Sequence, residues 1–440
     1  MFTTRALALI LAASLTAPVL AQTEPATAPS EPHELVLQEL VSSQATPLID
    51  AEVVPGLVVG VLQEGRTQYF GFGGINADGS GQAPDERTLY EIGSITKVFT
   101  AALLAEMAQR GEVALDDPIV SCYPDDHEAP QLGSEPIRLW HLATHSSGLP
   151  RMPTNMPATD PGDPFHGYTV EMMYDYFDEI VPDREPEESY EYSNLAAGLL
   201  GRLLQERAGV EWDVLVADRI FKPAGMHDSF VQVDEQTEAR VARPSAEGLT
   251  ASRWGGDDAL APCGAIVSCA ADLLRFAQEN IEPSEPDSLL AKALLEAHKP
   301  RFTDPGTGQV VALGWHVAGD GETLWHNGGT GGYASMLLVN KPARTAVVVL
   351  ANGAAHTEIT LTGDRIMRGL LSGEQPAAPT IERSRAVDAD HLERLIGDYV
   401  SPLGFTIFVT REGGRLGARL TGQPRFRVHP ASDEEEPLRF

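Results

Sequence analysis

Apolar residues crowd the segment 98–107, Val-Phe-Thr-Ala-Ala-Leu-Leu-Ala-Glu-Met, on nearly every face of a 3.6-residue period. That pattern predicts a buried central helix rather than a surface one. Gly111 supplies its C-terminal stop. Upstream, residues 34–49 carry helical periodicity, and the runs 57–62 and 67–72, separated by Gln63-Glu64-Gly65-Arg66, read as a β-hairpin. Residues 170–180 and 195–208 predict further helices, the second closed by Gly209. From Leu313 to Val349 the pattern changes to short apolar runs at 313–317, 323–326, 334–339 and 346–350, the strands of an antiparallel sheet. Strands at both ends of the unit with helices between them predict an α+β sandwich over a doubly wound sheet.

Turn and linker signals divide the rest. Residues 137–144 lead into the turn Ser146-Ser147-Gly148-Leu149-Pro150. The following stretch 151–167, dense in Pro, Gly and Asp, predicts a long loop suited to border a cleft. Residues 372–390 are a Pro/Ala/Glu-rich linker that ends the main domain, 34–371. Short runs near 398–400, 406–410 and 415–420 predict a small β module over 391–440, and the acidic run 433–436 a solvated loop.

Composition narrows the setting. The 440 residues are 42% hydrophobic, enough for a large core and more than one structural unit. Residues 1–21 have the form of a secretory signal: Arg5, an apolar stretch over 6–20, and Val19-Leu20-Ala21 as a small-residue cleavage site. About 15 apolar residues is short for a membrane span, which needs roughly 20. The expectation is an exported soluble protein beginning near Gln22, periplasmic in a Gram-negative cell and secreted otherwise, with residues 22–33 a disordered leader. The formal net charge of −31 argues against nucleic acid or an anionic membrane as partner. Cys122, Cys263 and Cys269 are an odd count; Cys263 and Cys269 could pair, although spacing alone fixes no geometry. No Cys/His cluster has zinc-site spacing, and no metal or organic cofactor is expected.

Three short motifs carry chemistry. In Tyr90-Glu91-Ile92-Gly93-Ser94-Ile95-Thr96-Lys97, a hydroxyl and an amine lie three residues apart at the head of the apolar helix. Positions i and i+3 share a helix face, so Lys97 can reach the Ser94 hydroxyl. An alcohol needs an adjacent base to become a nucleophile, and a lysine out of water can serve as one. Taken alone, Ser-x-x-Lys is more often an N-cap followed by a solvated lysine. What sets this one apart is the apolar helix, because an unpaired buried charge is costly. The second motif, Tyr192-Ser193-Asn194, offers a phenol that can shuttle protons and an amide that can orient a substrate, though Asn is also simply a good N-cap. The third is His326-Asn327-Gly328-Gly329-Thr330-Gly331-Gly332-Tyr333, placed between two predicted strands. Its glycines permit close approach to the backbone and leave N–H groups free for an oxyanion, against the plain alternative of a Gly-rich hairpin.

In order and spacing these motifs resemble the penicillin-recognising serine hydrolases, the superfamily of serine β-lactamases and D-alanyl-D-alanine peptidases. The first is close to the nucleophile signature of the class C branch, and Tyr192-Ser193-Asn194 matches its Tyr-x-Asn element. His326-Asn327-Gly328 stands where many members carry Lys-Thr-Gly and some peptidases His-x-Gly. The stretches 141–150 and 220–226 are also similar, and the resemblance covers roughly residues 34–370. It implies a β-lactamase/transpeptidase-like fold: an antiparallel sheet flanked by helices, with a helical subdomain. It implies Ser94 as the acylated nucleophile and Lys97 and Tyr192 sharing the proton transfers. It further implies Asn194 on the substrate amide, His326, Asn327 and Gly328 on the substrate, and the N–H groups of Ser94 and Gly329 as the oxyanion hole. His141 and His145 have a metal-compatible i, i+4 spacing, but the resemblance makes them structural.

Two positions depart from the pattern. Thr96 replaces the more usual Ser or Ala. His326 replaces a permanently charged Lys with a side chain that ordinarily titrates near neutrality, which predicts weaker or pH-dependent carboxylate recognition. The stretch 391–399 resembles small β modules appended to some members, and about 50 residues is short for a closed barrel. The expected function is an exported, monomeric serine acyl hydrolase acting through a Ser94 acyl-enzyme on β-lactams or D-alanyl peptides. The alternatives are an esterase of the same fold and a penicillin-binding sensor that acylates without turnover.

Overall fold

The computed structural model describes residues 37–157, 160, 162–246, 249–256, 259–381, 393–400, 406–412, 415–420 and 425–428. The signal segment, the leader, much of the linker and the acidic run lie outside the described residues.

An eight-stranded antiparallel sheet organises the chain. Its strands are β1 (Gly56–Gln63), β2 (Arg66–Gly73), β3 (Phe302–Thr303), β4 (Val310–Val311), β5 (His316–Val317), β6 (Thr323–Gly329), β7 (Ala334–Asn340) and β8 (Thr345–Ala351). The order across the sheet is β2-β1-β8-β7-β6-β5-β4-β3, so the predicted first hairpin docks through β1 onto the last strand, with Leu57 opposite Ala351. The inner strands β1, β7 and β8 are buried on both faces, which is why they read as continuous apolar runs instead of alternating ones. Leu57, Val59, Val61, Met336, Leu338, Val347 and Val349 pack on one side against α1 (Leu37–Asp50) and α8 (His356–Ser372). Val58, Leu62, Leu337, Val339, Val348 and Leu350 belong to the larger core on the other side.

That larger core is helical. It contains α2 (Thr96–Arg110), α3 (Leu139–Ala143), α4 (Val170–Glu179), α5 (Asn194–Ala208), α6 (Ala270–Ile281) and α7 (Leu289–Ala297). Every residue of α2 from Thr96 to Met107 is buried, as its apolar surround predicts, and Gly111 caps the helix at φ +74°. Burial of a Leu or Phe side chain contributes about 1.5–3 kcal/mol, so Phe99, Leu103 and Leu104 fix this helix firmly in place.

Several expectations need correction. The run 313–317 is strand only at His316–Val317, because Gly314 turns the chain at φ +72° and donates to the Ala143 carbonyl. The module contains four described strands, β9 (Gly397–Val400), β10 (Thr406–Glu412), β11 (Arg415–Leu420) and β12 (Arg425–Val428), in an antiparallel meander; the fourth had no clear sequence signal. Part of the expected linker is docked: the Gln44 amide on α1 donates to the carbonyls of Pro376 and Ala377. Cys263 and Cys269 are buried and not joined in a disulfide, nor is the buried Cys122. Cys263 lies in the short helix Ala261–Gly264 and Cys269 caps α6, with the strand Val267–Ser268 between them.

Candidate active site

The strand Tyr90–Glu91 pairs with Val267–Ser268 and delivers the chain into a 3-10 turn, Gly93–Ile95, that runs directly into α2. Gly93 has φ +51°, and a Cβ there would lie 2.6 Å from the Gly329 nitrogen. Only glycine therefore lets the nucleophile turn lie flush against β6. Gly328 is equally confined: a Cβ would sit 1.9 Å from the Ile92 carbonyl oxygen. The first turn of α2 is anchored to residues 262–266 by Thr96 Oγ1, which accepts the Ile266 N–H at 3.1 Å, and by Thr100, which donates to the Pro262 carbonyl at 2.7 Å. The hydroxyl of Thr96 thus has a structural job.

Lys97, 3% exposed, places Nζ 3.0 Å from Ser94 Oγ and 2.7 Å from the Cys263 carbonyl oxygen. Nζ also lies 4.9 Å from the centre of the Tyr192 ring. Among the described residues the amine has no carboxylate partner. An amine that donates to a carbonyl on one side and faces a serine hydroxyl on the other can take the hydroxyl proton.

Tyr192 comes to the site because residues 190–194 are stitched to 145–151. The N–H of Glu191 donates to the His145 carbonyl at 2.9 Å, and that of Ser193 to His145 Nδ1 at 3.1 Å. Ser193 Oγ donates to the Pro150 carbonyl and accepts the Ala196 N–H. Ser193, not Asn194, is therefore the N-cap of α5. This frees the Asn194 amide: Nδ2 contacts Met152 Sδ at 3.3 Å, and the buried Oδ1 has no partner. His145 adopts φ +59° beyond the end of α3, so His141 and His145 do not share a helix face. His141 Nδ1 accepts the Arg138 N–H, and its Nε2 lies 3.2 Å from Glu187.

His326 is not in a loop. It lies within β6, and only residues 330–333 make the turn to β7. Its ring is 1% exposed and 6.2 Å from the Tyr192 ring. Nδ1 lies 2.6 Å from the Asn327 carbonyl, which can only accept, so Nδ1 carries the proton and Nε2 is an unpartnered acceptor. Burial above all, then His316 and Lys97, push its pKa well below the usual 6.5. Burial and Lys97 push His316 down to about 4, and burial likewise holds His145 well below 6.5. The expectation of a histidine titrating near neutrality is corrected: His326 presents an uncharged acceptor. Asn327 follows the strand alternation to the opposite face, where Nδ2 donates to Thr360 on α8 at 3.0 Å. Its side chain is not brought to Ser94.

Sequence reasoning missed three contributors, and it gave a fourth, His145, a structural part without its partner. The Cys263 carbonyl holds Lys97, and His145 positions the backbone around Tyr192. Arg151 stacks its guanidinium carbon 5.0 Å from the Tyr192 ring centre. Glu91, 4% exposed, accepts the Trp254 N–H at 2.9 Å and lies 3.5 Å from Arg253. Burial raises its pKa from 4.5 to about 7, against the lowering effects of Thr330, Arg253 and the Trp254 N–H. Of the three that were missed, only Glu91 had a visible signal, an acidic residue inside an otherwise apolar run.

Comparison with known proteins adds a frame to this geometry. The family model described as Beta-lactamase matches residues 41–368. A protein named Beta-lactamase from Yersinia enterocolitica is 26% identical over 295 residues, covering 64% of this chain and 70% of that protein. Penicillin-binding protein 4 from Amycolatopsis lactamdurans is 26% identical over 339 residues, covering 73% and 86%. Among solved structures, a beta-lactamase/D-alanine carboxypeptidase from Yersinia pestis complexed with citrate superposes with a TM-score of 0.67 at 23% identity, covering 76% of this chain and 98% of that one. At that identity the likeness establishes the shared fold.

Proposed function

The chain belongs to the beta-lactamase family, and from that premise we propose that it is a serine acyl hydrolase of β-lactamase or D-alanyl-D-alanine carboxypeptidase type with Ser94 as its nucleophile. The observation that carries the assignment is the buried Lys97 amine 3.0 Å from Ser94 Oγ, beside the Tyr192 ring. In this reading Lys97 and Tyr192 pass the proton from Ser94 to the leaving group, and a water later takes the place of the leaving group in deacylation. The Ser94 and Gly329 N–H groups bind the developing oxyanion, a role supported by the backbone contact between Gly93 and Gly329. Asn194 takes the substrate amide through its unpartnered Oδ1. His326 takes part as an acceptor in the hydrogen-bond network. Gly328 keeps β6 close, and Asn327 acts through its carbonyl on His326. The substrate is a β-lactam, a peptidoglycan-derived D-alanyl peptide or an ester of the same shape.

Export of a monomeric protein is part of the same proposal, resting on the signal-like residues 1–21; no helix among the described residues is long and apolar enough to cross a membrane. The test is reaction with a fluorescent penicillin followed by peptide mapping. The label is expected on the Ser94 peptide and absent from Ser94→Ala; label retained by that variant overturns the nucleophile. Steady-state rates on a chromogenic cephalosporin, a D-Ala-D-Ala peptide and a nitrophenyl ester then rank the substrate classes.

A further inference from the structure

Where the family pattern usually places a lysine, this protein presents a neutral acceptor. His326 Nδ1 is committed to the Asn327 carbonyl, and an Nε2 lone pair repels a carboxylate. A substrate carboxylate therefore meets no charged side chain on β6. The other cations around the cleft are engaged. Lys97 is held by Ser94 and Cys263, Arg253 pairs with Glu238 at 2.6 Å and approaches Glu91, and Arg184 pairs with Glu191.

Arg151 differs. Its guanidinium lies over the Tyr192 ring, half-buried, and has no carboxylate partner among the described residues. Its main chain is fixed: the Arg151 carbonyl accepts the N–H groups of Asn194 at 3.0 Å and Leu195 at 3.3 Å, and the next residue, Met152, touches the Asn194 amide. The guanidinium is thus held beside Tyr192, on a segment tied to Asn194. A guanidinium stacked on an aromatic ring keeps its edge N–H donors available, and that edge matches the two oxygens of a carboxylate.

We propose that Arg151 is a specificity-determining residue that receives a carboxylate carried on the acyl side of the substrate, next to the amide bound by Asn194. The inference rests on the Ser94 reading above and names its substrate class: acyl donors with an acidic side chain.

The experiment compares kcat/KM for two penicillins that differ in one group, a benzyl side chain against an α-carboxybenzyl side chain, in the full chain and in Arg151→Gln and Arg151→Lys. The wild-type protein is expected to favour the carboxylated compound. In Arg151→Gln the ratio of the two kcat/KM values is expected to fall roughly tenfold or more, mainly through KM, since a hydrogen bond to a charged group is lost. Arg151→Lys is expected to recover part of that ratio. No preference in the wild type, or an equal loss for both compounds in Arg151→Gln, overturns the proposal. Labelling of Ser94 in the same preparations separates the two levels: a wild-type protein acylated at Ser94 but without preference refutes Arg151 alone, whereas absence of acylation refutes the Ser94 reading.

Discussion

Glu91 ties the nucleophile strand to the segment carrying Trp254, and it does so with a carboxyl group nearly removed from water. Its pKa of about 7 in the fold compares with 4.5 for an ordinary glutamate. Between these two values the native state holds a proton that the unfolded chain has released, so stability falls as pH rises across that window and levels off above it. The gap between 4.5 and about 7, at about 1.36 kcal/mol per pH unit, makes the loss about 3 kcal/mol. For a chain of this length that corresponds to a Tm change of about 3–4 °C. Glu91→Gln removes the titration yet keeps an oxygen acceptor for the Trp254 N–H, and Arg253 retains Glu238. Thermal melts of both proteins from pH 4.5 to 8 are the assay. The wild-type Tm is expected to drop relative to the variant by that amount, with the difference complete by about pH 8. Parallel curves would mean that Glu91 ionises like an exposed carboxylate and would refute the argument from burial.

Other consequences can be checked one at a time. Lys97→Met keeps the volume and removes the base, so acylation by a chromogenic cephalosporin should slow by about 10²–10⁴ with Tm nearly intact; full activity would exclude Lys97 from proton transfer. Gly328→Ala forces a methyl group against the Ile92 carbonyl, a backbone atom that cannot step aside. A loss of about 1–3 kcal/mol in stability and of most Ser94 acylation is expected by melting and penicillin labelling. The three cysteines are buried and form no disulfide, and burial above all raises the Cys269 thiol to about 12. Disulfide reductants should leave Tm unchanged, and a thiol reagent should count three groups only after unfolding. Because His326 is held neutral, kcat/KM in Glu91→Gln should show no histidine step between pH 6 and 8; an inflection near 6.5 would restore a titrating His326.

The sequence made the secondary structure legible where burial imposes a period. The helix from Thr96 and the strands of the inner sheet announce themselves because their surroundings are apolar on every side. The β6 segment shows where that logic stops. Gly328 and Gly329 look like turn residues, yet they continue a strand, because the reason for glycine there is the Ile92 carbonyl and the His356 ring, both supplied by distant parts of the chain. The cap of α5 teaches the same lesson on a smaller scale. Ser193 and Asn194 are both good N-caps, and the choice is made by the Pro150 carbonyl and His145 Nδ1, which bond Ser193.

Catalytic identity and substrate selectivity were unequally legible, for a physical reason. The proposed nucleophile and the amine beside it are three residues apart at the head of one helix, so the Ser94–Lys97 pair is written in local spacing. Charge recognition is a property of pairing across the whole molecule. His326 is neutral because burial, with His316 and Lys97 beside it, outweighs the bond to its own strand carbonyl, which by itself favours the charged ring. Arg151 lies over the Tyr192 ring with no carboxylate partner among the described residues, a fact that no local spacing announces. In the proposed reading, a neutral ring stands on β6 where a lysine is usual, and the guanidinium without a carboxylate partner among the described residues lies over Tyr192, so the positive charge is placed elsewhere in the site without touching Ser94. On that proposal the acyl-enzyme chemistry is set by one helix turn, and the anion accepted is set separately, by residues that only the folded chain brings together.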